Sequence, residues 1–345
     1  MVLSSPSPNA VLKLVRNHVV RKPAPHEVVV AVDACAVAYR DVLDRTGAFP
    51  FIKKDAVLGH EFAGTVVSAG MNTSSLSVGD RVVSLHWDQQ EAWPSPLTRK
   101  SAVNSFLGLT ADGGYSEFCT IGEGALVKTP PGWSAVDAAP VMSTFGTIWQ
   151  GAKVRAQLTS DDVVLVTGAS GGVGSASIQL CKAMGCKKII ATTSSSDNID
   201  YLQTLGADHV IVVDRDQPIS FHRDPSIFDH GGVNVVLENV GGPTFLSSLK
   251  ALAPEGRLVL VGNVLNDTIP LPLGLCILNS LKIVGSDSIA ASELEHLFTF
   301  LTKNNVRPNV DDILPLEKVM DAHKQLEQAT TTGRVVLKVS ENNWV

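Results

Sequence analysis

The sequence predicts an α/β fold in which a doubly wound parallel sheet is inserted between two parts of a β-rich domain. Two observations carry that prediction. Residues 163–193 read as strand, glycine-rich turn, helix and strand, within the roughly 30 residues that one βαβ unit occupies. Beyond residue 130, near-continuous Val/Ile/Leu runs alternate with helical segments, the pattern of a parallel sheet covered on both faces.

The β-rich part opens with the apolar run Val28–Val32. Gly64–Ser68 follows, and the turn Val78-Gly79-Asp80-Arg81-Val82 feeds a third strand. Residues 86–110 read as a long polar connection, a length usually reserved for a functional or interface loop. Gly113-Gly114-Tyr115 then opens another strand. In the α/β part Val163–Val166 enters the glycine turn, a helix runs to Met184, and Lys188–Thr192 is the second strand. Asp208–Val213, Val233–Asn239, Arg257–Gly262 and Leu281–Gly285 are further strands, with a helix over Pro243–Leu252. Helices over Ser292–Thr302 and Glu317–Gln328 and a strand over Arg334–Val339 close the chain. The expected domains are therefore 1–130 with 287–345, and 131–286.

With 345 residues, 44% hydrophobic and 18% charged, the chain can bury a sizeable core. A net charge of −6 argues against nucleic acid or an anionic membrane as the main partner. The start MVLSSPSPNA has no basic-then-apolar leader pattern, and no apolar run approaches a membrane span. Five scattered cysteines form no C-x-x-C pair, as expected of reduced thiols in a cytoplasmic protein.

The glycine turn carries the chemistry. A pyrophosphate has to rest on bare backbone N–H groups at a helix N-terminus, where a Cβ blocks approach. The three fingerprint positions fall on Ala169, Gly171 and Gly174, so Ser170, Gly171, Gly172, Val173 and Gly174 are candidate cofactor-binding residues. Gly172 and Val173 are the expected N–H donors. Asn239, Val240, Gly262 and Asn263 end later strands, where a dinucleotide lies in an open parallel sheet. At the end of the second strand an NAD-specific fold places Asp or Glu. Thr193, Ser194 and Ser195 stand there instead, which favours NADPH, although Asp197-Asn198 follows where a lysine would have strengthened the case.

Five short motifs carry a family resemblance: Leu58-Gly59-His60-Glu61-Phe62-Ala63-Gly64, Val78-Gly79-Asp80-Arg81-Val82, Ala169–Gly174, Leu205-Gly206-Ala207-Asp208, and Val240-Gly241-Gly242 followed by Gly256-Arg257-Leu258. In this order they resemble the zinc-independent, quinone-oxidoreductase-like branch of the medium-chain dehydrogenase/reductase superfamily. The resemblance implies a GroES-like catalytic domain, a six-stranded Rossmann domain and nicotinamide-dependent hydride transfer. Where zinc relatives carry a cysteine this chain has Ala38; His60 is kept, and Ser143 falls near the third ligand position. One histidine cannot supply the three protein ligands of a catalytic zinc, so no metal is expected. Zinc-free relatives often have Asn at the position of Ala38, and its loss leaves Tyr39-Arg40-Asp41. This stretch is either a hydrogen-bonding group beside the nicotinamide or a buried corner with an Arg–Asp pair. Asp41 matches the acid that orients the histidine, which implies an Asp41–His60 hydrogen bond. Thr147 matches a threonine that faces the nicotinamide.

The candidate catalytic residues are therefore Tyr39, His60 and Thr147. The leading expectation is a zinc-free, NADPH-dependent reductase of an activated alkene (enone or enoyl) or quinone. A zinc-free alcohol or ketone dehydrogenase is one alternative; a non-catalytic nucleotide-binding interaction protein using the 86–110 connection is another. A small-molecule substrate is expected, with neither nucleic acid nor membrane as partner. A homodimer is expected because the apolar strand Leu281–Gly285 needs covering at a sheet edge.

Overall fold

The computed structural model describes residues 1–48, 52–53, 55–88, 106–263 and 268–340. Residues 89–105, most of the long connection, lie outside them. The chain divides into two compact units. The first comprises Met1–Ser143, Ile289–Phe300 and Val310–Val345, the second Thr144–Ser288 and Leu301–Asn309. The sequence placed the first boundary at 130/131, whereas contacts keep residues 131–143 with the first unit. Trp133 explains the difference: it is buried and packs edge-on against Phe298, with ring centroids 4.9 Å apart.

In chain order the first unit begins with β1 (Val2–Leu3), β2 (Glu27–Val37), α1 (Tyr39–Thr46), β3 (Ala56–Val57), β4 (Phe62–Ala69), β5 (Arg81–Ser84), β6 (Phe118–Gly122), β7 (Leu126–Lys128) and α2 (Ala135–Ala138). The second unit contains β8 (Val163–Val166), α3 (Gly172–Ala183), β9 (Lys188–Thr193), α4 (Ile199–Leu205), β10 (His209–Val212), α5 (Pro225–Phe228), β11 (Val233–Glu238), α6 (Gly242–Ala251), β12 (Leu252–Leu260), α7 (Leu273–Leu278) and β13 (Lys282–Gly285). The chain continues through α8 (Ala291–Lys303), which the division between units cuts after Phe300, then β14 (Val310–Pro315), α9 (Val319–Glu327) and β15 (Arg334–Lys338).

The first unit is the GroES-like β domain. Its main sheet runs β14-β15-β2-β4-β5-β7, with β6 also on β2, and β1 pairs with β3 apart from it. The β-branched run at the start of β2 suits a pleated, covered surface, and every residue from Val32 to Val37 is buried. β15 lies antiparallel on β2, with Val335 opposite Val37, so a strand from the end of the chain completes the sheet. The strand expected at Gly113 begins later, at Phe118. Residues 113–115 instead form a corner that spends its N–H groups on Val57 O, Gly59 O and Leu58 O at 2.7–2.9 Å. Tyr39, Arg40 and Asp41 open α1 rather than forming a loop corner, and Arg40 pairs with Asp44 one turn on, at 3.0 Å.

The second unit is the Rossmann domain. Its six strands are all parallel, in the order β10-β9-β8-β11-β12-β13. The order reverses beside β8, which places a switch point at the C-terminal ends of β8 and β11. Leu165, Ile190, Val236, Leu249 and Leu258 form its buried core. Among the described residues no helix is long and apolar enough to cross a membrane.

Candidate dinucleotide site and catalytic residues

In the second unit β8 leads through Thr167 into the glycine turn, and α3 starts at Gly172 with Gly171 as its N-cap. Ala169, at the first fingerprint position, is buried, and its N–H donates to Thr192 O at 2.9 Å. A methyl in place of glycine there is tolerated because it points into packed protein. Gly174 is different: a Cβ would lie 2.6 Å from Ala169 Cα and closer still to Gly168 O, so only glycine lets α3 pack against the turn. At Gly171 an added Cβ would meet nothing nearer than Gly168 O at 3.7 Å. That open space faces the first turn of a twelve-residue helix, whose leading N–H groups have no intrahelical acceptor and favour an anion. The turn is a cradle that a side chain would fill, and it fits a dinucleotide pyrophosphate. Ser170, Gly171, Gly172 and Val173 are partly accessible around it, and Gly174 is buried.

Sequence reasoning missed the group that shapes the neighbouring strand end. Glu238, fully buried at the end of β11, accepts from Thr167 Oγ1 (2.8 Å), Val240 N and Gly241 N (3.0 Å each) and Thr244 Oγ1 (2.7 Å), and its other oxygen accepts from Ser248 Oγ. One carboxylate thus ties the ends of β8 and β11 to the start of α6. The only signal was an acid at the close of an apolar strand with Thr244 and Ser248 one turn apart. The Val240 N–H is spent on Glu238, so Val240 can meet a ligand only through its side chain and carbonyl. Asn239 donates its Nδ2 to Thr167 O at 3.0 Å, while its buried Oδ1 has no partner among the described residues. An orphaned acceptor at a strand end also suits a polar ligand. Gly262 lies against the same place, since a Cβ on it would meet Asn239 C at 2.5 Å; Asn263 approaches Gly241.

A pocket of about 360 Å³ adjoins the glycine turn, with Gly168, Thr193, Ser194, Val213, Ile219 and Val240 in its wall. Ser195 is not in that wall. Its Oγ accepts the Asp197 N–H at 3.2 Å and starts a short helical turn over Ser196–Asn198, while Asn198 Nδ2 donates to Thr193 Oγ1 at 3.1 Å. Thr147 sits between two wide, π-type helical turns, Met142–Gly146 and Trp149–Arg155, a distortion frequent at functional sites.

In the first unit the structure joins His60 to Asp41. His60 Nδ1 lies 3.0 Å from Asp41 Oδ1, both residues are buried, and Asp41 Oδ2 accepts the Ala38 N–H at 2.9 Å. Burial pushes the Asp41 carboxyl upward, but the facing His60 and these hydrogen bonds outweigh it and hold the group below the usual carboxylate range. His86, which the sequence did not single out, lies tilted beside His60 with centroids 4.9 Å apart, and its buried Nε2 has no hydrogen-bond partner among the described residues. Burial, with the neighbouring His60 and Arg40, pushes it well below the ordinary histidine value. Tyr39, at the start of α1, is 38% exposed.

The positions that correspond to a zinc site hold Ala38, His60 and Ser143. Ala38 has no donor atom beyond its backbone. The Ser143 hydroxyl bonds to Glu61, and the Arg334 guanidinium bonds to both Glu61 and Ser143. Burial lowers Arg334 to about 10, still cationic at neutral pH. Among the described residues no three His, Cys, Asp or Glu side chains are placed to hold a metal ion, so this donor set does not fit a catalytic zinc.

A glycine-turn parallel sheet carried with a GroES-like β domain is the architecture of a two-domain dehydrogenase. Residues 24–131 match the family model of the alcohol dehydrogenase GroES-like domain, and residues 172–303 that of the zinc-binding dehydrogenase. The chain is 34% identical to the acryloyl-coenzyme A reductase of Sulfurisphaera tokodaii over 92% of this chain and 93% of the relative. An alcohol dehydrogenase of Geobacillus stearothermophilus is 29% identical over 91% and 92%. The crystal structure of AibC superposes with a TM-score of 0.86 at 34% identity, covering 99% of this chain and 95% of that one. The chain belongs to the medium-chain dehydrogenase/reductase superfamily of oxidoreductases.

Proposed function

We propose that the protein is a zinc-independent, NADPH-dependent reductase of activated alkenes, with α,β-unsaturated carbonyl compounds such as enoyl thioesters as the substrate class. The observation that carries the reading is the donor set around His60. Ala38 offers no ligand, Glu61 is held by Arg334 and Ser143, and His60 is held by Asp41. Such a set suits a substrate whose conjugation already makes a carbon electrophilic. Likeness to an acryloyl-coenzyme A reductase along nearly the whole chain supports it.

When bound, NADPH supplies the hydride. The chain's part is positioning and hydrogen bonding. In this reading Gly172 and Val173 hold the pyrophosphate through their N–H groups, with Ser170, Gly171 and Gly174 shaping the turn. Thr193, Ser194 and Ser195 take the adenosine ribose end, and Asn239, Val240, Gly262 and Asn263 take the strand ends toward the nicotinamide. Tyr39, His60 and Thr147 are the catalytic candidates, as hydrogen-bonding groups for the developing enolate and for the ring. The carboxylate of Asp41 fixes the imidazole's orientation.

A zinc-free alcohol or ketone dehydrogenase is the second reading, favoured by the likeness to an alcohol dehydrogenase and by the His60 imidazole as a proton donor. NADPH oxidation against a panel of enoyl thioesters, enones, quinones and ketones separates them. Turnover confined to conjugated alkenes supports the proposal, ketone turnover supports the second reading, and no turnover leaves a nucleotide-binding protein.

The assembly we propose is a homodimer through β13. That strand is one edge of the six-stranded sheet, and the preceding α7 exposes Leu273, Ile277 and Leu278 by 63%, 74% and 86%. An open edge beside apolar surface calls for cover, and light scattering that finds only monomer excludes it. Five free cysteines support a reducing, cytoplasmic setting.

A further inference from the structure

The sequence left the adenosine end of the site without a cation, since no lysine follows Thr193. The fold supplies one from the segment that follows another strand. β10 lies parallel to β9, with Val212 opposite Thr193, and the Val213 N–H donates to Thr193 O at 2.7 Å. Two residues further on, Arg215 reaches the same pocket and lines it together with Thr193 and Ser194. The residue is exposed and makes no hydrogen bond or ion pair with any described residue. Five donors of a fixed fork are therefore free. Among the described residues no carboxylate lines this pocket. The flanking Asp214 and Asp216 are outside that wall but line an adjoining pocket with Ser194 and Arg215, and Asp214 Oδ1 is occupied by the Asp216 N–H at 2.9 Å.

We propose that Arg215 is the residue that selects NADPH, by closing its guanidinium on the ribose 2′-phosphate beside Thr193 and Ser194. The assignment rests on the dinucleotide-binding reading of the second unit. A guanidinium fork matches phosphate oxygens two at a time, and a free arginine has no existing pair to break. An NAD-type pocket would instead carry an acid to accept from the 2′-hydroxyl, and this one carries a cation.

The test is binding, read by calorimetry, with 2′,5′-ADP and 5′-AMP as probes and NADPH and NADH as the full ligands. Wild-type protein is expected to bind 2′,5′-ADP more tightly than 5′-AMP. Arg215→Ala is expected to weaken 2′,5′-ADP and NADPH by about tenfold to a hundredfold, with 5′-AMP and NADH changed less than about twofold. Arg215→Lys is expected to recover part of the loss, because the charge remains without the fork. An unchanged melting temperature in both variants shows that the fold is intact. If the wild-type preference persists in Arg215→Ala, this assignment fails while the NADPH reading stands. Should wild-type protein bind the two mononucleotides equally, both fail.

Discussion

Gly171 and Gly174 of the turn make opposite demands, and substituting each by alanine separates folding from binding. At Gly174 the new methyl would sit 2.6 Å from Ala169 Cα and nearer still to Gly168 O. Both are backbone atoms, so the turn or α3 has to shift. Overpacking of this kind costs about 1–3 kcal/mol, and for a unit of this size each kcal/mol lowers the melting temperature by roughly 2–4 °C. At Gly171 the backbone has φ −76° and ψ 172°, which any residue adopts, and the methyl meets only Gly168 O at 3.7 Å. Stability should change by less than about 1 kcal/mol, because a stiffer unfolded chain offsets a poorer cap. The same methyl occupies the space where phosphate oxygens would reach the N–H groups of α3. Losing one or two charge-assisted hydrogen bonds, about 1.5–3 kcal/mol each, weakens dinucleotide binding tenfold or more. Calorimetric melting paired with NADPH titration reads both effects. Gly171→Ala binding NADPH like wild type would refute the placement of the pyrophosphate in front of α3.

Glu238→Leu should destabilise the protein by on the order of 3 kcal/mol or more, because five donors lose their buried acceptor; a urea midpoint close to wild type would show that water replaces the carboxylate. Burial lowers His323 from 6.5 to about 4, so the unfolded chain binds the extra proton and stability is lost as pH falls from 6.5 toward 4, by on the order of 3 kcal/mol. Asp44, raised by burial to about 6 from 3.8, acts in the opposite sense, its contribution being lost as pH rises through about 6. The two contributions nearly offset over this range, so from pH 4 to 7 the stability of His323→Gln should fall as pH rises, and that of Asp44→Asn should rise with it. His60→Ala should lower enoyl reduction less than about a hundredfold, the range of a lost general acid, and less than Thr147→Val does; initial rates at saturating NADPH decide between them.

Much of the fold was legible because β-branched runs and glycine turns are local signals. The strands of the parallel sheet and the glycine turn fall where periodicity and chain punctuation place them. What the sequence hid depends on contacts between distant residues. Arg334 reaches Glu61 across 273 positions, and Tyr115, His323 and Arg45 bond in series at 3.2 Å per step, although nothing in their local sequence announces it. Trp133 moved a domain boundary by packing on Phe298. The Asp41–His60 hydrogen bond was legible only through resemblance, since nineteen residues separate the two. Arg215 was illegible for a related reason: the sequence searched for a cation after β9, and strand pairing brought one from the segment that follows β10.

The most direct test follows the hydride. Purified protein treated with a chelator is given NADPH deuterated at the transferred position and acryloyl-coenzyme A, and the product is read by mass spectrometry and NMR. The account predicts propanoyl-coenzyme A with one deuterium on the β-carbon, at a rate unchanged by added zinc. Deuterium on a carbinol carbon, or turnover that appears only when zinc is restored, would contradict it.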